Sequence, residues 1–503
     1  MSKIRLFILL LVFGIPASAY DLVINNGRVM DPETGLDAVL NVAIEAGVIR
    51  AVSAQELKGD KLIDATGLVV APGFIDLHTH SPTQLGQYYQ LFDGVTTALE
   101  LEAGMYPAGD YGAEVRDGAL INYGASAGYL GIRLLVKNSL RMTSPSENPA
   151  PVGLDGWWTF LKFIFQDFQT VLAPTFTEQA SPAEIMRMRQ MLESDLDKGA
   201  LGIGLALDYI SEAVNAAELQ MIFDVAGERQ APVFVHVRRG VSGDPAGLRE
   251  VLSLAEQTAA PLHICHITHN AMGSIELFLQ EVREARDRGV DVSVGVLPYN
   301  AGSTSISAAV FNRDWQTIFD ISYEDVEWAA TGERFDKAMW EKYREEYPSG
   351  AVIHHYLREE WTRRALTEPG SIVVSDLIPM KSIEEKVPPH NGAFSKVLAR
   401  YVREQGALDL MEALGKMTIL PARRLQSYAP AFRRKGRVQE GMDADLVVFD
   451  ADLIEDRASY RDPYQTAVGI EHVIVAGTPI VKGAKLVLSQ APGRYLSTKH
   501  QLD

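Results

Sequence analysis

The sequence predicts an α/β fold: a (β/α)8 TIM barrel over about residues 71–425, with a small β domain formed by both chain ends, 20–70 and 426–490. Three observations predict it. Apolar strand-like runs alternate with helical stretches through the middle, β-like text stands at both ends, and several apolar runs terminate on a histidine or an acid. A length of 503 residues suits a barrel, which takes roughly 250, plus an accessory domain.

The β-rich ends come first. Asp21-Leu22-Val23-Ile24, Val39 to Ile44 and Val48 to Val52 are short runs bounded by Gly, Asp or Asn, and the same texture returns in Ala444 to Phe449 and His472 to Gly477. Two such ends around one long α/β segment predict a split domain whose halves meet in space. Between them, Pro182 to Lys198 and Ala217 to Arg229 read as helices of repeating βα units, and eight units fit the length. Residues 311–368, charged and containing Trp315, Trp328, Trp340 and Trp361, read as a helical insertion over the barrel mouth.

Composition narrows the function. With 47% hydrophobic and 22% charged residues the chain has the make-up of a globular protein. Residues 1–19 carry Lys3 and Arg5, a short apolar run and Ala17-Ser18-Ala19, the pattern of a cleaved export signal, and imply a periplasmic or secreted protein. Cleavage after Ala19 removes two cations and no acid, taking the formal charge from −18 to −20. That charge argues against nucleic acid and anionic membrane surfaces as partners and points to small molecules, with oligomerisation left open. Cys265 is the single cysteine, so no intramolecular disulfide forms.

The chemistry is concentrated at strand ends. In Ala71-Pro72-Gly73-Phe74-Ile75-Asp76-Leu77-His78-Thr79-His80, side-chain alternation puts His78 and His80 on one face about 7 Å apart along the chain, where they can converge on a cation. Gly94 to Gly104 places Glu100 and Glu102 on one face, with Glu102, nearer the C-terminal end, the better metal ligand and Glu100 its buried partner. Two further apolar runs reach His236 and His266. His263 faces the other way by parity, and Cys265 reads as a small buried apolar side chain. The run Ser371 to Asp376 ends on an acid placed to take a proton from metal-bound water.

These residues, with the phrases APGFIDLHTH, GALGIGLALDY, LPYNAGSTS, GAFSKVLARYVREQGALDLMEALGKMTILPARRL and GMDADLVVFD, resemble the amidohydrolase superfamily, and within it the N-acyl-D-amino-acid deacylases, from about residue 20 to 480. The resemblance implies a barrel with a split β-sandwich, one or two Zn2+ ions on His78, His80, His236 and His266, with Asp376 as acid and base. It also implies an amide substrate held near Tyr209, Tyr299 and Ser303. The tetrahedral intermediate of such a reaction needs an oxyanion donor, for which Tyr299 or an uncoordinated histidine is the candidate. Two departures stand out. Glu102-Ala103-Gly104 replaces a metal-binding cysteine, and the family's substrate-binding lysine and arginine are missing, with Thr268 at the first place and Lys386 to Gly392 at the second. Lys381, Arg238 and His390 are the candidate substitutes. The alternatives are a dipeptidase or cyclic amide or lactone hydrolase on the same scaffold, and an inactive metal-binding homologue.

Overall fold

The structure, a computed structural model, describes residues 20–142, 149–163, 165–166, 168–384, 387–487 and 489–499. The export signal expected at 1–19 and Lys386 lie outside the described residues.

Eight parallel strands follow one another around the barrel in sequence order: β1 (Phe74–Asp76), β2 (Val95–Met105), β3 (Asn122–Gly128), β4 (Ile203–Leu205), β5 (Val233–Val235), β6 (Leu262–Ile264), β7 (Val292–Val296) and β8 (Ser371–Val373). Strands β1 and β8 are not paired as strands. The ring closes just past their ends, where Asp376 N donates to the His78 carbonyl and His80 N to the Leu377 carbonyl, each at 2.8 Å. The Asp76 carboxylate adds a lateral tie, accepting from Ser375 N at 3.2 Å and Ser375 Oγ at 2.5 Å. This seam builds one half of the site.

The surrounding helices begin where side chains satisfy their unpaired amides. Ser181 and Glu184 form a reciprocal capping box at the start of Pro182–Lys198, and Gly199 ends that helix at φ 114°. Asn215 caps Ala216–Arg229. Arg133 from Tyr129–Asn138 reaches Glu218 of the latter helix at 2.5 Å, both side chains fully buried, so two neighbouring helices share one ion pair.

Both chain ends contribute to one sheet in which Val69–Pro72 pairs antiparallel with Leu446–Phe449. Alternate residues of the partners serve two cores. Val70, Leu446 and Val448 join the small domain's own core, whereas Val69, Ala71, Val447 and Phe449 pack onto the barrel. Burial on both faces explains why these runs are continuously apolar. What reads in the sequence as one strand from Ala71 onward is therefore two, and the chain changes sheets at Gly73, where a β-carbon would collide with Thr96.

The insertion differs from its reading as purely helical. Gly302–Ser305, Ala351–His354, Val326–Trp328 and Glu333–Arg334 form a four-stranded sheet, accompanied by the helices Trp315–Phe319 and Lys337–Glu346. Gly302–Ser305 pairs with Ala351–His354 across more than forty intervening residues, which local periodicity does not register. Phe311, Trp315, Trp328, Phe335 and Trp340 make its aromatic core. These tryptophans stabilise the insertion, and its first strand and the strand reaching His354 supply part of the cavity wall.

Candidate metal centre

At the C-terminal end of the barrel four side chains converge. His78 Nε2 and His80 Nε2 are 3.2 Å apart, and Asp376 Oδ1 lies 3.4 and 3.2 Å from them. Glu102 Oε2 is 3.2 Å from His78 Nε2 and 3.6 Å from His80 Nε2. Ligands bonded at roughly 2.0–2.1 Å in a tetrahedron stand about 3.3 Å from one another, so the spacings within His78, His80 and Asp376, and of Glu102 from the two histidines, suit a first-row cation such as zinc. The residues present fit a metal.

The other oxygen of Glu102 faces a second group. Oε1 lies 3.0 Å from His236 Nδ1 and 2.8 Å from His266 Nε2. One carboxylate thus presents an oxygen to each of two donor sets, the arrangement of a bridging ligand. Glu100 is fully buried and accepts from His80 Nδ1 at 2.7 Å, which turns Nε2 toward the cage.

Charge and backbone agree with this reading. Burial by itself would lower the His78 and His80 imidazoles, yet the surrounding carboxylates hold both well above their usual value. Burial would likewise raise Glu102 and Asp376, but the histidines hold both well below the carboxylate range. His236 behaves differently: burial, then the nearby Arg239 charge, push it down to about 4. His266 at φ 29° and Asp376 at φ 49° occupy the left-handed region that non-glycine residues seldom adopt, the kind of backbone strain found where geometry serves a site.

The structure brings His78, His80, Glu102, His236, His266 and Asp376 together, and Tyr209 and Ser303 line the adjoining cavity. It turns His263 away, onto Ser293 Oγ at 2.8 Å. Cys265 corrects the parity argument: its sulfur, His78 and Glu102 offer ligand atoms within 4.8 Å of one another. Strand β6 ends at Ile264, so the alternation rule has lapsed one residue earlier. Burial pushes the thiol up to about 12, so it is protonated as it stands.

Four other candidates are not brought to the cavity. Tyr299 donates to the Pro389 carbonyl at 2.6 Å and stacks on His390, so its hydroxyl is committed elsewhere. His390 lies behind the site, Nδ1 donating to the Asp376 carbonyl at 2.9 Å. Arg238 is held by Glu250 and by the Ser211 and Val214 carbonyls, and Lys381 is not among the lining residues. Sequence reasoning missed Asp208, Arg239, His269, His354 and Tyr356, all of which line the cavity. A signal existed for two of them: Asp208 precedes Tyr209 in the quoted phrase, and Arg239 follows the singled-out Arg238.

A model of the amidohydrolase family matches residues 69–481. N-acyl-D-glutamate deacylase from Alcaligenes xylosoxydans xylosoxydans is 29% identical, covering 95% of this chain and 96% of that protein. D-aminoacylase from the same organism is 28% identical, covering 95% and 98%. Among solved structures, N-acyl-D-glutamate deacylase from Bordetella bronchiseptica, complexed with zinc and a phosphonate inhibitor, shares the fold at a TM-score of 0.74 and 24% identity, covering 95% of this chain and 100% of that one. A D-aminoacylase structure does so at a TM-score of 0.75 and 22% identity, with the same coverage. The family match spans the candidate metal ligands, all eight barrel strands and the C-terminal part of the β domain, and the chain belongs to the amidohydrolase family.

Proposed function

We propose that this protein is a zinc-dependent hydrolase that removes the acyl group from an N-acyl amino acid, with a preference for the D series. The observation that carries the reading is the cage of His78, His80, Asp376 and Glu102, with ligand spacings of 3.2–3.6 Å, at the base of a cavity. His236 and His266 on the second oxygen of Glu102 support a two-ion centre. The deacylase names of the relatives support the substrate class.

Metal held there would lower the pKa of a water to about 7 and polarise a carbonyl. The chain's own residues do the rest. Asp376, ionised and 20% exposed toward the cavity, takes the proton of the attacking water and returns it to the leaving nitrogen. Tyr209 keeps its proton, since burial raises it, and stands with its ring 5.4 Å from that of His236, where its hydroxyl can donate to the developing oxyanion. Tyr299 does not take that role, because its hydroxyl is bonded to Pro389.

The test is amine release by metal-loaded protein from N-acetyl-D- and N-acetyl-L-amino acids, dipeptides and cyclic amides. Turnover of the D-acids is expected. Turnover of dipeptides or cyclic amides alone would assign the scaffold to another reaction, and metal retention with no turnover would mark an inactive homologue. The leader-like Met1 to Ala19 supports export to the periplasm or beyond, and a mature N-terminus at Tyr20 on the exported chain checks it.

A further inference from the structure

Above the metal centre the cavity has one cationic wall. Among the described residues that line it Arg239 is the only lysine or arginine, and its side chain is 9% exposed. Its Nε donates to the His269 carbonyl at 3.3 Å, and its guanidinium carbon sits 5.4 Å from the centre of the Phe319 ring, so two sides of the group are fixed.

Its acidic neighbour is already used. Asp208 accepts from Arg313 Nη2 at 3.0 and 3.2 Å and from the backbone N of Arg239 at 2.9 Å, while Arg239 Nη1 stands back at 3.5 Å. Two guanidinium groups share one carboxylate, which leaves one positive charge uncompensated. No hydrogen bond from either terminal nitrogen of Arg239 is formed among the described residues. A buried cation with idle donors is costly until an anion meets it, and a planar guanidinium matches a carboxylate in bidentate fashion.

Position decides which anion. Asp208 Oδ2 lies 3.9 Å from His236 Nε2 and 3.5 Å from Arg239 Nη1, so one side chain separates the arginine from the second donor group. In an N-acyl amino acid three bonds separate the acyl carbon from the carboxyl carbon, a matching short span. Leu130, Met142, Val310 and Ile378 elsewhere on the wall are apolar and suit an acyl or side-chain group.

We propose that Arg239 binds the free α-carboxylate of the substrate, which restricts the enzyme to N-acyl amino acids with an ionised carboxyl end and disfavours their carboxamides and cyclic amides. This rests on the hydrolase reading above. It also explains how the pocket manages with Thr268 and the 387–392 stretch where a lysine and an arginine could have stood, since the cation comes from the β5 loop.

The experiment compares an N-acetyl-D-amino acid with its α-carboxamide in wild type, Arg239→Met and Arg239→Ala. Wild type should prefer the free acid. Arg239→Met should raise KM for the acid about 100-fold, the usual scale for unpairing a buried charge, while moving kcat/KM for the carboxamide less than about threefold. Guanidinium added to Arg239→Ala should restore acid hydrolysis selectively, a response that a merely structural arginine would not give. Equal losses on both substrates, or an unaffected acid, overturn the assignment, as does a wild type that prefers the carboxamide. If metal-loaded wild type hydrolyses neither, the hydrolase reading fails. Calorimetry with the N-acetyl-D-amino acid then decides the anion site: binding to wild type but not to Arg239→Met keeps it, and no difference removes it.

Discussion

The two donor groups of the metal centre are built by different parts of the barrel. His78, His80 and Asp376 lie beyond the ends of β1 and β8, at the seam where the ring closes through backbone bonds of those same residues. His236 and His266 follow the neighbouring, fully paired strands β5 and β6 and approach a single oxygen of Glu102. Closing the barrel and assembling the first group are therefore one event, whereas the second group is positioned by a sheet that is already complete. The difference shows in charge as well. Carboxylates hold the seam histidines above their usual value, while burial and Arg239 depress His236. Metal entering the first group must displace protons, whereas His236 of the second group is deprotonated beforehand.

Breaking the seam at its reactive end has the largest expected effect. Asp376→Asn removes the proton acceptor, and kcat should fall about 10²–10⁴-fold, the scale of general acid–base catalysis. Metal analysis of the dialysed variant should still find the ion held by Glu102, His236 and His266. Wild-type turnover would remove Asp376 from the reaction. Glu100→Gln sharpens the comparison without touching a ligand. It weakens the support behind His80 Nδ1 and should cost about 10–100-fold in metal affinity at the first group only, read by competitive chelator titration. Equal weakening of both ions would show that the two groups are not separable. Next comes Ser375→Ala, which strips a hydroxyl donor from buried Asp76 at the seam and should destabilise the fold by about 1–3 kcal/mol in urea unfolding.

The seam also explains what the sequence could and could not convey. A parallel strand buried on both faces is a short apolar run, and its first polar residues emerge at the end where the site sits. His78, His236, His266 and Asp376 were legible for that reason. Glu102 was legible from alternation, because β2, at 11 residues, runs on past it, although its pairing with β3 shifts register between Glu100 and Met105. Cys265 is the buried core side chain that the sequence suggests, but parity did not convey that its sulfur faces His78 and Glu102, because β6 has three residues and alternation stops with it. Tyr299 and His390 pack on each other, a loop-to-loop meeting that no local pattern encodes. Arg239 escaped notice because its role depends on Asp208 being taken by Arg313, 105 residues away. The insertion's aromatic residues announced a core, but its sheet joins segments too far apart for periodicity to reveal.

The opposite end of the seam supplies the smallest effect. Asp93, just before β2, accepts from Phe394 N at 2.9 Å and Ser395 N at 2.8 Å, and Phe394 stacks on Phe74 of β1 at 5.4 Å. The segment after β8 is thereby fastened to the first strands. Burial pushes the Asp93 carboxyl up to about 8 although the bonds to Ser395 and Phe394 act the other way. An unfolded aspartate titrates near 3.9. Between those values the folded chain keeps a proton that the unfolded chain has lost, so Asp93 makes stability fall as pH rises, by at most about 1.4 kcal/mol per unit. Asp93→Asn removes that slope but retains only one acceptor oxygen for two amides. The variant should be the less stable protein at pH 5, by about 1 kcal/mol, and the gap should close or reverse by pH 8 in paired urea titrations. Parallel curves would mean that the two amides keep Asp93 ionised throughout, and that this end of the seam is held by a charge instead of by a buried acid.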